Sequence, residues 1–145
     1  AVPLHAALAQ SNDAEIAAIA LKSAKESAYH LRHSRAWLVR LGDGTEESHE
    51  KVQASLDLML PFAGDLFFSD EVTTAATDEG WGPDPSDLRA DWEAILSDTL
   101  SEAQLRRPDA VPEQIGGRQG RHTEQLSFLL AEMQVLPRTY PDAKW

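Results

Sequence analysis

Five histidines and 24 carboxylates are the groups in this 145-residue chain that could hold a metal or move a proton, and no cysteine joins them. Without cysteine there is no disulfide, no thiolate nucleophile and no zinc site with sulfur ligands. His30 and His33 lie one helical turn apart, a spacing that suits a transition metal. Arg32 and Arg35 flank them, however, and a cation beside a metal is unfavourable, so a polar helix surface is the expected reading. His122 heads an apolar stripe and is followed by Thr123 and Glu124. It reads either as an acid–base or ligand histidine between helices, or as part of a helix start with Glu124 set against the dipole. The helix start is the reading preferred.

Gly116, Gly117 and Arg118, then Gly120 and Arg121, come just before that stripe. Glycine-rich backbone at a helix N-terminus, with two arginines, is a cradle for an anion. No phosphate-binding motif has this spacing, and a docking loop for a partner fits the same residues. Gly116, Gly117, Arg118, Arg121 and His122 are therefore the candidate partner- or ligand-binding residues. Trp37, Trp81, Trp92 and Trp145 could line an aromatic pocket or anchor a core or interface. No Ser–His–Asp arrangement can be assembled, so no catalytic residue is assigned.

The elements that must position these groups read as helices. Ser11, Asn12 and Asp13 with Glu15 form a helix start. Ile16, Ala20, Ala24, Ser27, Leu31, Ser34, Leu38 and Leu41 then recur at spacings of four and three. That is one face of a long helix whose middle is small, which Gly42, Asp43 and Gly44 stop. Thr45, Glu46 and Glu47 start a second helix with the stripe Val52, Leu56, Met59, Ala63 and Leu66, kinked at Pro61. Residues 69–83 read as a loop or broken helix. Asp84 and Pro85 start a third, with Leu88, Trp92, Leu96 and Leu100 on its face. Residues 101–121 are a long connection with two prolines and three glycines. His122, Leu126, Leu129, Met133, Leu136 and Tyr140 mark a last helix, which Pro137 should end or bend near Val135. No segment alternates with period two. The expected fold is all-α, about four helices in a single domain.

Charge narrows the partners. The net charge is −11, with +2 over residues 1–41, −14 over 42–113 and +1 over 114–145. Such a chain lacks the clustered positive charge that grips nucleic acid or an anionic membrane. No apolar run approaches a membrane span. Ala1 shows neither an initiator Met nor a charged leader, and the chain is expected to be a piece of something longer.

Several long polar strings carry more than periodicity. KSAKESAYHLRHSRAWLVRLGDGTEESHEKVQ (residues 22–53), the set Pro61, Gly64, Leu66 and Phe67, the pair Leu88 and Trp92, and GGRQGRHTEQLSFLLAEMQ (residues 116–134) occur in order. Together they resemble the C-type subunits of bacterial phenylacetyl-CoA epoxidases, from about Ser11 to Trp145. The resemblance implies a ferritin-like helical bundle of which this chain would hold only the C-terminal helices. It implies a cytoplasmic, non-catalytic structural subunit without a cofactor of its own. The subunit would pair with an A-type subunit that carries a di-iron centre, in a monooxygenase complex that epoxidises the ring of phenylacetyl-CoA in phenylacetate catabolism. The alternatives are a CoA-ester binding module, for which the Gly116–Arg121 loop would meet the phosphates, and a ferritin-like di-iron protein in its own right.

The ligand spacing speaks against the last. A di-iron bundle site takes one Glu from each of two helices and a Glu-x-x-His from each of the other two, because that spacing puts both ligands on one face. Glu46 with His49 is the only such pair in the chain, and it falls in the first turn of a helix. No metal ligand is assigned. The small face of the first helix, with Ala20, Ala24, Ser27 and Ser34, has little bulk to bury itself, and a homodimer through that face is expected.

Overall fold

The computed structural model describes residues 1–109 and 112–144 of the chain. Among them every regular element is a helix and no strand occurs, as expected. The chain divides into two compact units, residues 1–114 and 115–145, and the division falls within the long connection.

The first unit is built on the long helix. A short helix α1 (Val2–Leu8) precedes α2 (Ala14–Gly42). Asp13 caps α2, its carboxylate accepting from the amides of Glu15 and Ile16 at 2.9 and 3.0 Å. Ala20 and Ser27 are buried rather than open. The reason is α1, which lies along α2 and is pinned there by the hydrogen bond between His5 Nδ1 and Ser27 Oγ, 2.7 Å. Ala20 and Ser27 thus meet a helix of their own chain, while Ser34, further along the same face, stays exposed.

Helix α3 (Glu46–Met59) starts where expected, with Thr45 Oγ1 accepting from the amide of Ser48. Pro61 does not kink it. The α-helix ends at Met59 and the chain tightens into a 3₁₀ helix over Leu60–Phe67, since proline supplies no amide to continue the ladder. The segment read as a loop or broken helix contains α4 (Glu71–Asp78). A capping box holds it: Asp70 accepts from Thr73 N, and Thr73 Oγ1 accepts from Asp70 N. Asp84 and Pro85 open one 3₁₀ turn, Pro85–Leu88, which runs into α5 (Arg89–Glu102).

The C-terminal ends of α2 and α5 meet at the core, where Leu100, Ala103 and Leu105 are buried against Leu38, Val39, Val52, Leu56 and Leu96. Helix α5 stops in a Schellman turn, with Leu105 N bonded to Leu100 O at 2.9 Å and Gln104 N to Ser101 O at 3.3 Å. Gln104 takes the left-handed position at φ +55°, a place glycine usually fills. Its side chain is tied to Asp43 Oδ1 at the end of α2. Gly42 makes the approach possible, because a Cβ there would lie 2.2 Å from the carbonyl oxygen of Ala103.

The second unit holds a 3₁₀ turn at Gly117–Gln119, α6 (Glu124–Met133) and α7 (Val135–Thr139). Helix α6 begins two residues after His122, and Thr123 stands at its N-cap without a side-chain hydrogen bond. The helix breaks at Gln134, next to Val135 where an end or bend was expected, and Pro137 falls inside α7. Proline is tolerated there because it occupies the first turn of α7, where amides lack helical partners. No helix among the described residues is long and apolar enough to cross a membrane.

Candidate functional site

Gly116, Gly117, Arg118, Arg121 and His122 are brought together in one turn of the second unit. Gly116 and Gly120 both have positive φ, +102° and +84°. The amides of Gln119 and Arg121 both donate to Gly116 O, at 2.9 and 3.0 Å, and that of Gly120 to Gly117 O at 3.1 Å. The Arg121 side chain crosses Gly116, where a Cβ would lie 2.8 Å from its Cδ. So glycine is required at position 116 twice, for its φ and for the crossing side chain. Three amides of the loop are turned inward and are not offered to an anion. What the loop presents outward is charge: Arg118, Arg121 and His122 are all exposed. This arrangement can bind an anionic group through guanidinium forks, and it suits a protein carboxylate as well as a phosphate.

The other candidates have structural occupations. His30 Nε2 faces Glu26 Oε1 at 3.2 Å on an exposed stretch of α2. The His33 ring stacks on Tyr29, with centroids 6.2 Å apart, and meets Trp37 edge-on. The two histidines therefore turn to different neighbours. Arg32 and Arg40 lie over the rings of Tyr29 and Trp37, each at 5.5 Å, so the outward face of α2 is aromatic and basic. The spacing of Tyr29, His33 and Trp37 beside Arg32 and Arg40 is the signal for that face in the sequence. His49 donates from Nδ1 to Gly42 O at 2.7 Å, closing the end of α2. The one Glu-x-x-His pair thus serves a helix terminus. Among the described residues no group of three or more His, Asp or Glu side chains is placed to hold a metal ion.

The tryptophans do not converge on one pocket. Trp37 and Trp81 are about half exposed, Trp92 packs edge-on against Phe67 at 5.2 Å, and Trp145 lies outside the described residues. Trp92 borders two cavities of the first unit. One, about 380 Å³, is lined mainly by apolar side chains of α1, α2 and α5, with Ser27, Ser34 and Thr99 among them. The other, about 390 Å³, contains a cluster of ion pairs. Arg89 forks onto Glu113 at 2.6 and 2.9 Å and lies over the Phe67 ring. Arg107 forks onto Glu93. Hydrogen bonds from Arg107 and Arg89 hold the carboxyls of Glu93 and Glu113, respectively, below the usual range. Each guanidinium already has its carboxylate, so this cavity holds no vacant anion site. Its pairs fasten the outgoing chain instead, helped by Gln114 N bonded to Pro61 O at 2.8 Å.

The described residues thus form an all-helical chain with a basic loop held outward. Comparison with known sequences makes the family plain: the family described as phenylacetic acid catabolic protein matches residues 1–145, and the chain belongs to it. It is 44% identical over 144 residues to the C-type subunit of the 1,2-phenylacetyl-CoA epoxidase of Escherichia coli (strain K12). The match covers 99% of this chain and 58% of that relative, so the chain spans less than two thirds of the relative's length.

Proposed function

We propose that the chain is part of a non-catalytic structural subunit of a multicomponent oxygenase that epoxidises the aromatic ring of phenylacetyl-CoA, in phenylacetate catabolism. The observation that carries this reading is the 44% identity to the C-type subunit of such an epoxidase, continuous over nearly the whole chain. The donor set agrees with it. A di-iron site needs two Glu-x-x-His pairs, and the single pair present, Glu46 and His49, is engaged at the end of α2. The partner in this reading is the di-iron A-type subunit. The role of this chain is to complete and stiffen that partner's surface, in the cytoplasm.

The test is co-purification with an A-type subunit followed by metal analysis of each chain. Iron confined to the partner is the expected result. Two irons per chain of this protein, ligated from residues 15–40 and 122–136, would overturn the reading in favour of a di-iron protein. A CoA-ester module is the second reading, favoured by the outward charge of Arg118 and Arg121. Calorimetry with coenzyme A on the wild type and on the Arg118→Ala, Arg121→Ala double variant separates the two. Heat of binding that disappears in the double variant supports the module. No heat in either, with weakened partner binding in the double variant, supports docking.

A further inference from the structure

The second unit ends in helices that leave most of their large apolar side chains exposed. Phe128, Leu129, Met133, Val135, Leu136 and Tyr140 are each more than half exposed. At roughly 150–200 Å² for a large side chain, these six present about 600 Å² of apolar surface, at or above the largest patch of an ordinary monomer. A helix of 10 residues followed by one of five is also too short to hold its shape in water unaided, since isolated helices below about 12–15 residues are marginal. Both facts call for a surface that covers the stripe. About 600 Å² is most of the roughly 800 Å² that each partner contributes to a standard protein interface.

We infer that α6 and α7 form a docking arm that lays its apolar stripe into an apolar groove on the partner subunit, a groove carrying carboxylates at its ends. The inference rests on the subunit reading above and goes beyond it by naming the surface. The charge requirement comes from the flanks of the stripe: Arg118 and Arg121 stand before it, and Arg138 and Lys144 lie within or after it. Only Glu124, Glu132 and Asp142 oppose them in residues 114–145. A helix laid in a groove is read through anchors at helical spacing, and Leu129 and Met133 of α6 have it, with Leu136 following on α7. The basic loop and the stripe then act as one surface, apolar in the middle and cationic at both ends.

The experiment measures binding of the chain to the A-type di-iron subunit, for wild type and for a Leu129→Asp, Met133→Asp double variant, at low and high salt. Both substituted positions are exposed, so the thermal midpoint of the free variant should match wild type. The expected result is a loss of affinity of roughly thirtyfold or more, as for interface anchors, and a weaker wild-type complex at high salt. Wild type that fails to bind the A-type subunit at all would sink the subunit reading itself. Wild type that binds, with the variant binding equally well, would sink only the arm. Two other results would also overturn the arm. A wild-type homodimer abolished in the variant would assign the stripe to a second copy. A large fall in the free variant's thermal midpoint would show that the chain covers the stripe itself.

Discussion

Replacing Gly42 with alanine decides whether the crossing of α2 and α5 is as close as described. Two effects of opposite sign compete. Alanine is the better helix residue, by up to about 1 kcal/mol. Against that, the new Cβ would stand 2.2 Å from the carbonyl oxygen of Ala103, and this neighbour is backbone in a fully buried residue. It cannot rotate away, so one helix end must retreat by more than about 1 Å to restore ordinary contact. Overpacking of this kind costs about 1–3 kcal/mol, occasionally more. The retreat also pulls on the Arg35–Glu102 ion pair at 2.7 Å and on the Gln104–Asp43 hydrogen bond, which link the same two ends. Net destabilisation of about 2 kcal/mol follows, a large part of a typical 5–15 kcal/mol. At about 3–5 °C per kcal/mol for this size, the thermal midpoint should fall by about 6–10 °C. Scanning calorimetry of the whole chain measures it, with Gly120→Ala as the control. That glycine has no atom within 4 Å of a built Cβ, and its φ of +84° alone should cost about 1 kcal/mol. A midpoint for Gly42→Ala equal to or above wild type would refute the reasoning, since helix propensity would then have won.

Two further perturbations test the ties of the first unit. Ser27→Ala removes the partner of the His5 ring and should destabilise the chain by about 1–2 kcal/mol, with faster amide exchange confined to α1; unchanged exchange there would mean that α1 is held by packing alone. Glu113→Gln tests the ion pair at the chain's exit from the first unit. The pair with Arg89 lowers the carboxyl's folded pKa, so its contribution is present above the unfolded value near 4.3 and is lost as pH falls through the lower folded value. The stability gap between wild type and variant should therefore be full at neutral pH and close in acid. A gap that stays constant down the acid limb would show that Glu113 acts through shape and not through charge.

The elements with strong local signals were legible in the sequence. Asp13 and Thr45 cap the helices they were expected to cap, because short polar side chains act within a few residues of themselves, and the long helix ends at Gly42 with Asp43 at its C-cap, neither Gly42 nor Gly44 being left-handed. What failed needed distance. Helix α1 gives little periodicity in seven residues, and its place on Ala20 and Ser27 depends on His5 reaching 22 positions along the chain. Helix α4 was obscured by its polar composition, although Asp70 and Thr73 carry a capping signature at the right spacing. Pro61 was expected to bend a helix. A lone proline cannot reveal whether the chain resumes an α-helix or tightens, and here the packing of Phe67 against Trp92 goes with the tighter turn.

The candidate site follows the same division between local and distant causes. The Gly116–Arg121 loop was found because glycine and arginine announce backbone geometry and charge by themselves. That the loop's amides fold inward could not be read from composition, since it depends on Gly116 taking φ +102° and receiving two of them. The histidines reverse the lesson. Their spacing suggested ligands, yet His49 closes α2, His5 fastens α1 and His33 stacks between rings. Each binds its own chain, and each does so through a neighbour at least four residues away. Residue type announces the chemistry that is available, and contact at a distance decides whether it is used for catalysis or for holding the fold. The exposed apolar side chains of α6 and α7 are the surface on which the proposed docking rests.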